Sequence, residues 1–208
     1  QELLTGKRRL EGFSGEWDSV NLKDIISDFI VPMRDKPKDL SGETPWCRIE
    51  DFDGKYLSCS KSGQGVSKDT ISAMNLKVYP IGTLLVSCSA YLGRCAIVKK
   101  ELVTNQTFIG LVPNNKVNVE YLYYAMGREE KKLNELASGT TISYLSREQF
   151  ESYQVSIPIY EEQTAIANIL SDMDSEIEAL ERKLNKYKDI KQGMMQELLT
   201  GRIRLLEE

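Results

Sequence analysis

The chain has 208 residues, 41% hydrophobic and 28% charged, which is enough for one good core or one domain with an appended element. Its formal charge of −4 argues, taken whole, against a nucleic-acid binder, and no apolar run approaches the roughly 20 residues that span a bilayer. The absence of histidine excludes Ser–His and Cys–His nucleophile pairs, and Cys47, Cys59, Cys88 and Cys95, with no C-x-x-C spacing, speak against a structural metal and for free thiols in a reducing cytoplasm.

The chain opens on QELLTGKRRL (Gln1 to Leu10) and ends on QELLTGRIRL (Gln196 to Leu205); eight of ten aligned positions are identical, and only Lys7 and Arg8 change, to Arg202 and Ile203. A repeat at both ends marks a unit cut from a longer periodic chain, or one that closes on a copy of itself. The opening Gln in place of Met points to a fragment or a processed chain. From about Gly15 to Pro158 the chain reads as mixed α/β. Trp17 to Ile30 is an opening segment followed by a helix or short strand. Asp35 to Pro45 is a polar loop, Trp46 to Phe52 a strand, and Ser60 to Lys68 a loop rich in Gly, Ser and Lys.

Two strands, Thr83 to Ser89 and Arg94 to Val98, then flank Tyr91-Leu92-Gly93, and Val103 to Pro113 is a third. Val119 to Leu136 is expected to be one helix with Tyr121, Leu122, Ala125, Met126 and Leu133 as its apolar stripe. Ala137 to Ser146 is a second polar loop, Ser146 with Gln149 forms a capping box, and Gln154 to Ile159 is the last strand. Beyond Glu161 the pattern changes. Ile166, Leu170, Met173, Ile177, Leu180, Leu184, Tyr187, Lys191, Met194 and Leu198 recur at steps of four and three, and only Lys191 is not apolar. A helix from about Glu162 to Thr200 would reach about 55–60 Å, with Gly201 as its stop. Its seam needs a second long helix, which this sequence does not contain. The alternative, packing on its own domain, is the weaker reading for a seam this long.

The charge is unevenly spread. Residues 1–160 hold 20 basic and 20 acidic side chains, whereas residues 161–208 hold 7 and 11. Over residues 55–100, Lys55, Lys61, Lys68, Lys77, Arg94, Lys99 and Lys100 face Asp69 alone, a local excess that could meet a phosphate backbone despite the global sign. Residues 1–13 are therefore expected to be the tail of a preceding helix repeat with a linker. Residues 14–160 would be the globular domain, 161–201 the long helix, and 202–208 a tail.

Several stretches resemble the DNA specificity subunit of type I restriction–modification systems: GEWDSVNLKDI (Gly15 to Ile25), GTLLVSCSAYLGRCAIV (Gly82 to Val98), TNQTFIGLVP (Thr104 to Pro113), SIPIYEEQTAIANILSDMDSEI (Ser156 to Ile177) and the terminal QELLTGRIRL. The likeness covers nearly the whole chain and is most specific at the domain-to-helix junction. It implies an α+β target-recognition domain followed by one long helix that pairs antiparallel as a spacer. It implies a non-catalytic, cytoplasmic subunit without a cofactor of its own, reading one half of a bipartite site in double-stranded DNA. Methyltransferase subunits would bring S-adenosylmethionine, and restriction subunits would join for ATP-driven cleavage. With one domain and one helix, the chain is either half of a longer subunit or a half-subunit that pairs as a homodimer. Two other readings stay open: a coiled-coil protein adaptor without DNA binding, and the recognition domain of a fused restriction–methylation enzyme.

Reading DNA needs amide, hydroxyl and guanidinium groups on loops. Three stretches supply them. The first is Lys61, Ser62, Gln64 and Lys68, with Ser67; the second is Ser87, Ser89, Tyr91 and Arg94; the third is Thr140, Thr141, Ser143 and Tyr144. Each could equally be a solvated loop. Asn105 and Gln106 match a family position or bond the backbone, and Tyr121, Tyr123 and Tyr124, at helical spacing, read as core. GQGVSK (Gly63 to Lys68) lacks the glycines and the context of a nucleotide-binding loop. Helix pairing is assigned to Ile166, Leu170, Met173, Ile177, Leu180, Leu184, Tyr187, Met194 and Leu198, with Lys191 at the seam's one polar position.

Overall fold

A computed structural model describes residues 2–32, 35–89, 91–137 and 144–204. It separates into two units, Gln1–Ala167 and Asn168–Glu208. The first unit is closed by its own ends. Strand β1 (Asp18–Asn21) pairs antiparallel with β10 (Gln154–Ile157), Val20 opposite Val155. The Asn21/Asp24 capping box then turns the chain into the single-turn helix α1 (Leu22–Ile25), which buries Leu22 and Ile25. Strand β2 (Ile26–Ile30) follows at once, its register shifted between Ile26 and Asp28.

The core is a five-stranded sheet in the order β2-β9-β6-β7-β4. β6 (Leu84–Ser87) lies at its centre with all four residues buried, the continuous apolar run of a strand covered on both faces. It pairs antiparallel with β7 (Cys95–Val98) and β9 (Phe108–Pro113), while β4 (Tyr56–Leu57) adds to β7 in parallel. Against this sheet pack Phe52, Tyr79 and Leu102, the Phe52 ring stacked 5.1 Å from that of Phe108 on β9. The glycine at 110 is required by that packing, since a Cβ there would stand 2.4 Å from Tyr79 Cε1.

A smaller sheet, β5-β3-β8, joins β3 (Thr44–Cys47) antiparallel to β5 (Gly65–Val66) and parallel to β8 (Val103–Thr104), around buried Trp46 and Val66. The strand expected over Trp46 to Phe52 therefore ends early. The Asp51 carboxylate accepts the Arg48 N–H at 2.7 Å and winds Ile49–Asp51 into a 3₁₀ turn. A short helix, α2 (Lys68–Ala73), starts where a loop was expected to end, because the Ser67 hydroxyl caps the Thr70 N–H at 3.1 Å.

The helix expected over Val119 to Leu136 is two helices, α3 (Val119–Arg128) and α4 (Glu130–Ala137). The break lies at Glu129. Its buried carboxylate is held by Lys132 at 2.6 Å, Arg128 at 2.7 Å and the Tyr153 hydroxyl at 2.9 Å, and Gly127 before it is a weak helix former. Desolvation pushes this carboxyl up, but the Lys132 and Tyr153 hydrogen bonds and the neighbouring cations outweigh it and hold it below the ordinary value. Tyr121 on α3 is fully buried, as its spacing implied. The expected capping box forms at Ser146 and Gln149 and starts α5 (Arg147–Glu151).

The last helix, α6 (Tyr160–Leu199), is 40 residues of uninterrupted helix, about 60 Å at 1.5 Å per residue. Its first turns bury Glu162, Gln163, Ile166 and Ala167 in the first unit. Gln163 donates to the carbonyls of Lys116 and Pro158 and accepts the Asn118 N–H, locking the helix start to the N-cap of α3. Past Ala167 the helix carries no buried residue among those described. No helix of the described residues is long and apolar enough to cross a membrane.

Candidate nucleic-acid interface

The turn between β6 and β7 has the most defined geometry of the three proposed reading stretches. The Ser87 N–H donates to the Arg94 carbonyl at 2.8 Å, and the Gly93 N–H returns to the Ser87 carbonyl at 3.1 Å. Gly93 takes φ +84, and α4 comes so close that a Cβ there would meet Glu130 Cα at 2.8 Å. Asn134 of α4 donates to the Leu92 carbonyl at 3.2 Å. On this braced turn Tyr91 sits at φ +61, a left-handed conformation that costs a non-glycine residue about 1–3 kcal/mol. Tyr91 is 68% exposed, with the Arg94 guanidinium 5.9 Å from the centre of its ring. The result is a tyrosine and an arginine held at the surface by a rigid backbone. Both can act on a nucleic acid, the guanidinium in a bidentate contact with guanine or with phosphate, the ring by packing.

Ser87 does not share that surface. It is fully buried, its hydroxyl donates to the Ser89 carbonyl at 2.8 Å, and so it shapes the turn from inside. Ser89 is half-buried. Tyr144, 41% exposed, is brought to the same place, because the Leu145 N–H donates to the Cys88 carbonyl at 2.9 Å. Burial, the larger influence on it, pushes the Cys88 thiol up to about 11 although Tyr144 hydrogen-bonds to it. Thr140, Thr141 and Ser143 lie outside the described residues.

The loop over Ser60 to Lys68 is tied to the small sheet instead. The Lys61 N–H donates to the Asp51 carboxylate at 2.7 Å, Ser62 meets Ser60 at 3.0 Å, and the Gln64 amide oxygen accepts from the Arg48 guanidinium at 2.8 Å. Lys61 and Ser62 are exposed, Gln64 is half-buried, and Lys68 is exposed in the first turn of α2. Arg48 was not singled out from the sequence. It lies next to a strand and meets Gln64 only because β3 and β5 pair.

The structure also redistributes the basic stretch. Lys55 is withdrawn into an ion pair with Glu120 at 2.9 Å and a hydrogen bond to the Tyr124 hydroxyl at 3.2 Å. Burial pulls its ammonium down, but Glu120 and the Tyr124 and Tyr56 hydroxyls outweigh that and raise it above its ordinary value. Lys99 lies 4.1 Å from the centre of the Tyr56 ring and 3.7 Å from Glu120, and Lys61 pairs with Asp53 at 3.4 Å. Lys68, Lys77, Arg94 and Lys100 are exposed and have no carboxylate partner among the described residues. Asn105 acts locally, accepting the Thr107 hydroxyl at 2.7 Å. No cluster of metal-ligating side chains occurs among the described residues.

On α6, Ile166 is buried in the first unit and Leu170 is half-buried. Met173, Ile177, Leu180, Leu184, Tyr187, Met194 and Leu198 are 37–58% exposed, an apolar stripe open to solvent.

A family profile described as the type I restriction modification DNA specificity domain matches residues 14–188. The chain is 29% identical over 168 residues to the type I restriction enzyme MjaIX specificity subunit of Methanocaldococcus jannaschii, covering 78% of this chain and 39% of that protein. It is 22% identical to the EcoR124I/EcoR124II specificity subunit of Escherichia coli, over 72% of this chain and 41% of that one. The crystal structure of the HsdS subunit from Thermoanaerobacter tengcongensis superposes with a TM-score of 0.64 at 16% identity, covering 94% of this chain and 48% of that one. The S subunit from M. genitalium superposes with a TM-score of 0.60 at 17% identity, over 90% and 47%. The chain thus spans about half the length of these proteins or less. With 175 consecutive residues matched, from the first strand well into the long helix, it belongs to the family of type I restriction–modification DNA specificity domains.

Proposed function

We propose that this chain is a DNA-reading unit that recognises one half of a bipartite site in duplex DNA and performs no catalysis itself. The family match across residues 14–188 carries this reading. Tyr91 and Arg94, with Tyr144 beside them, form the surface we assign to base contact, and Ser89 on the same turn and Lys61, Ser62, Gln64 and Lys68 on the separate loop by the small sheet are assigned to phosphate or sugar. The exposed stripe of α6 pairs antiparallel with a second long helix, either in another copy of this chain or in the other half of a longer subunit, so that two reading heads are held at a fixed separation. Methyltransferase subunits supply S-adenosylmethionine and the methyl transfer, restriction subunits join for cleavage, and the complex works on DNA in the cytoplasm.

The test is reconstitution with methyltransferase subunits, followed by mapping of modified bases. The expected result is methylation confined to a split sequence, with a duplex affinity that falls steeply as salt rises. A reconstituted complex that fails to bind duplex DNA at low salt rejects the reading in favour of a protein-only adaptor.

A further inference from the structure

The turn that carries Tyr91 and Arg94 meets its own hydrogen-bonding needs at three of its four carbonyls. The Tyr91 carbonyl accepts the Arg94 N–H at 3.2 Å, the Gly93 carbonyl accepts the Cys95 thiol at 3.1 Å, and the Arg94 carbonyl accepts the Ser87 N–H at 2.8 Å. The Leu92 carbonyl is served from outside the hairpin. Its partner among the described residues is the Asn134 side-chain amide, 42 positions away in sequence and 3.2 Å away in space. Without that donor the carbonyl would have to turn towards water, and its peptide plane would turn with it.

That peptide plane lies next to the strain. Leu92 stands between two left-handed residues, Tyr91 at φ +61 and Gly93 at φ +84. Glycine adopts such a φ freely, whereas a tyrosine returns to negative φ unless surrounding contacts hold it. Tyr91 and Arg94 leave the backbone on opposite sides of the Leu92–Gly93 peptide, so rotation of that plane moves the ring and the guanidinium apart.

The donor comes from a fixed platform. α4 is anchored at its start through Glu129, which is held by Arg128, Lys132 and Tyr153, and it buries Leu133 and Ala137. Asn134 is on the exposed side of the helix, away from that packed face. It also donates to the Glu130 carbonyl one turn back at 2.7 Å, which restricts the amide's rotation and aims it at the turn. Asparagine is a weak helix former, so its place in the middle of α4 is not explained by helix stability.

We infer that Asn134 is a positioning residue for DNA reading: through the Leu92 carbonyl it sets the angle at which Tyr91 and Arg94 meet a half-site, and so how strictly that half-site is read. The inference rests on the assignment of this turn to base contact and deepens it.

The test uses the complex reconstituted with methyltransferase subunits and duplexes in which each base pair of the mapped half-site is replaced in turn. Methylation rates on cognate and substituted duplexes give the discrimination at each position. Asn134→Asp keeps the shape of the side chain and removes its N–H donors, whereas Asn134→Ala removes the side chain. Both should lower discrimination about three- to tenfold, at the base pairs affected by Tyr91→Ala or Arg94→Ala and at no others. At the base pairs read by Arg94, adding Asn134→Ala to Arg94→Ala should cost nothing further, because the amide acts through the guanidinium. Full discrimination in Asn134→Asp, an even loss over all base pairs, or additive losses in the double variant overturns the inference. The two failures separate cleanly: if Tyr91→Ala and Arg94→Ala also leave discrimination untouched, the turn is not the reading surface, whereas losses in those two alone strike out only Asn134.

Discussion

Arg9 and Glu162 lie 153 positions apart and meet in two parallel hydrogen bonds, Nε to Oε1 and Nη2 to Oε2, both 2.7 Å. The pair fastens the start of the chain to the first turn of α6. Hydrogen bonding to Glu162 raises the Arg9 guanidinium further above its already high ordinary value. Glu162→Ala strands the arginine and empties a buried site. Because Arg9 keeps 26% of its side chain exposed, the loss should be smaller than that of a fully buried pair. A lowered thermal midpoint is expected, with the amino-terminal segment opened to protease; an unchanged digestion pattern would refute the clasp.

Glu129 imposes a pH dependence. Its carboxyl is held below its ordinary value near 4.5, so the stability it contributes is present above that value and lost as pH falls through the lower folded-state value. Glu129→Gln should lower the midpoint at neutral pH by about 2–6 °C. The gap from the native chain should close in acid, and thermal melts across pH 2–7 measure it. A gap that stays constant with pH would remove the carboxylate as its cause.

The cysteines should divide by access. Cys59 is exposed, whereas Cys47 and Cys88 are buried, and burial pushes their thiols up to about 12 and about 11; burial also raises that of Cys95. One thiol should react quickly with an aromatic disulfide reagent at pH 8 and the other three only on unfolding. Rapid release of more than one equivalent from native protein would contradict the packing.

Leu180→Asp with Leu184→Asp targets the open stripe, where both side chains are more than half exposed. The substitutions should leave the fold of the first unit and its melting intact while abolishing self-association, because charge would be buried at the helix seam. Sedimentation equilibrium decides, and an unaltered mass counts against pairing through these residues.

Arg94→Ala removes the guanidinium from the rigid turn without touching the sheet below it. Recognition at one half-site should weaken or relax by about 1–3 kcal/mol for the base concerned, visible as degenerate methylation in the reconstituted complex. Unaltered specificity would take Arg94 out of the contact set.

Features whose partners lie within a few residues were legible in the sequence. The heptad steps of α6, the Ser146 capping box, the glycine stops and the apolar runs of β6, β7 and β9 are local periodicities and local hydrogen bonds, and the backbone obeys them wherever the chain goes. What depended on distant segments was not legible. Glu129 splits the expected helix because Tyr153 returns beside it; Lys55 leaves the basic surface because Glu120 does; Ser87 disappears beneath a turn that only strand pairing creates. The chain by itself determined a mixed domain with a long amphipathic helix. Tertiary structure alone decided which charges remain outside and where the amino-terminal segment is fastened, because burial and ion pairing follow the path of the fold.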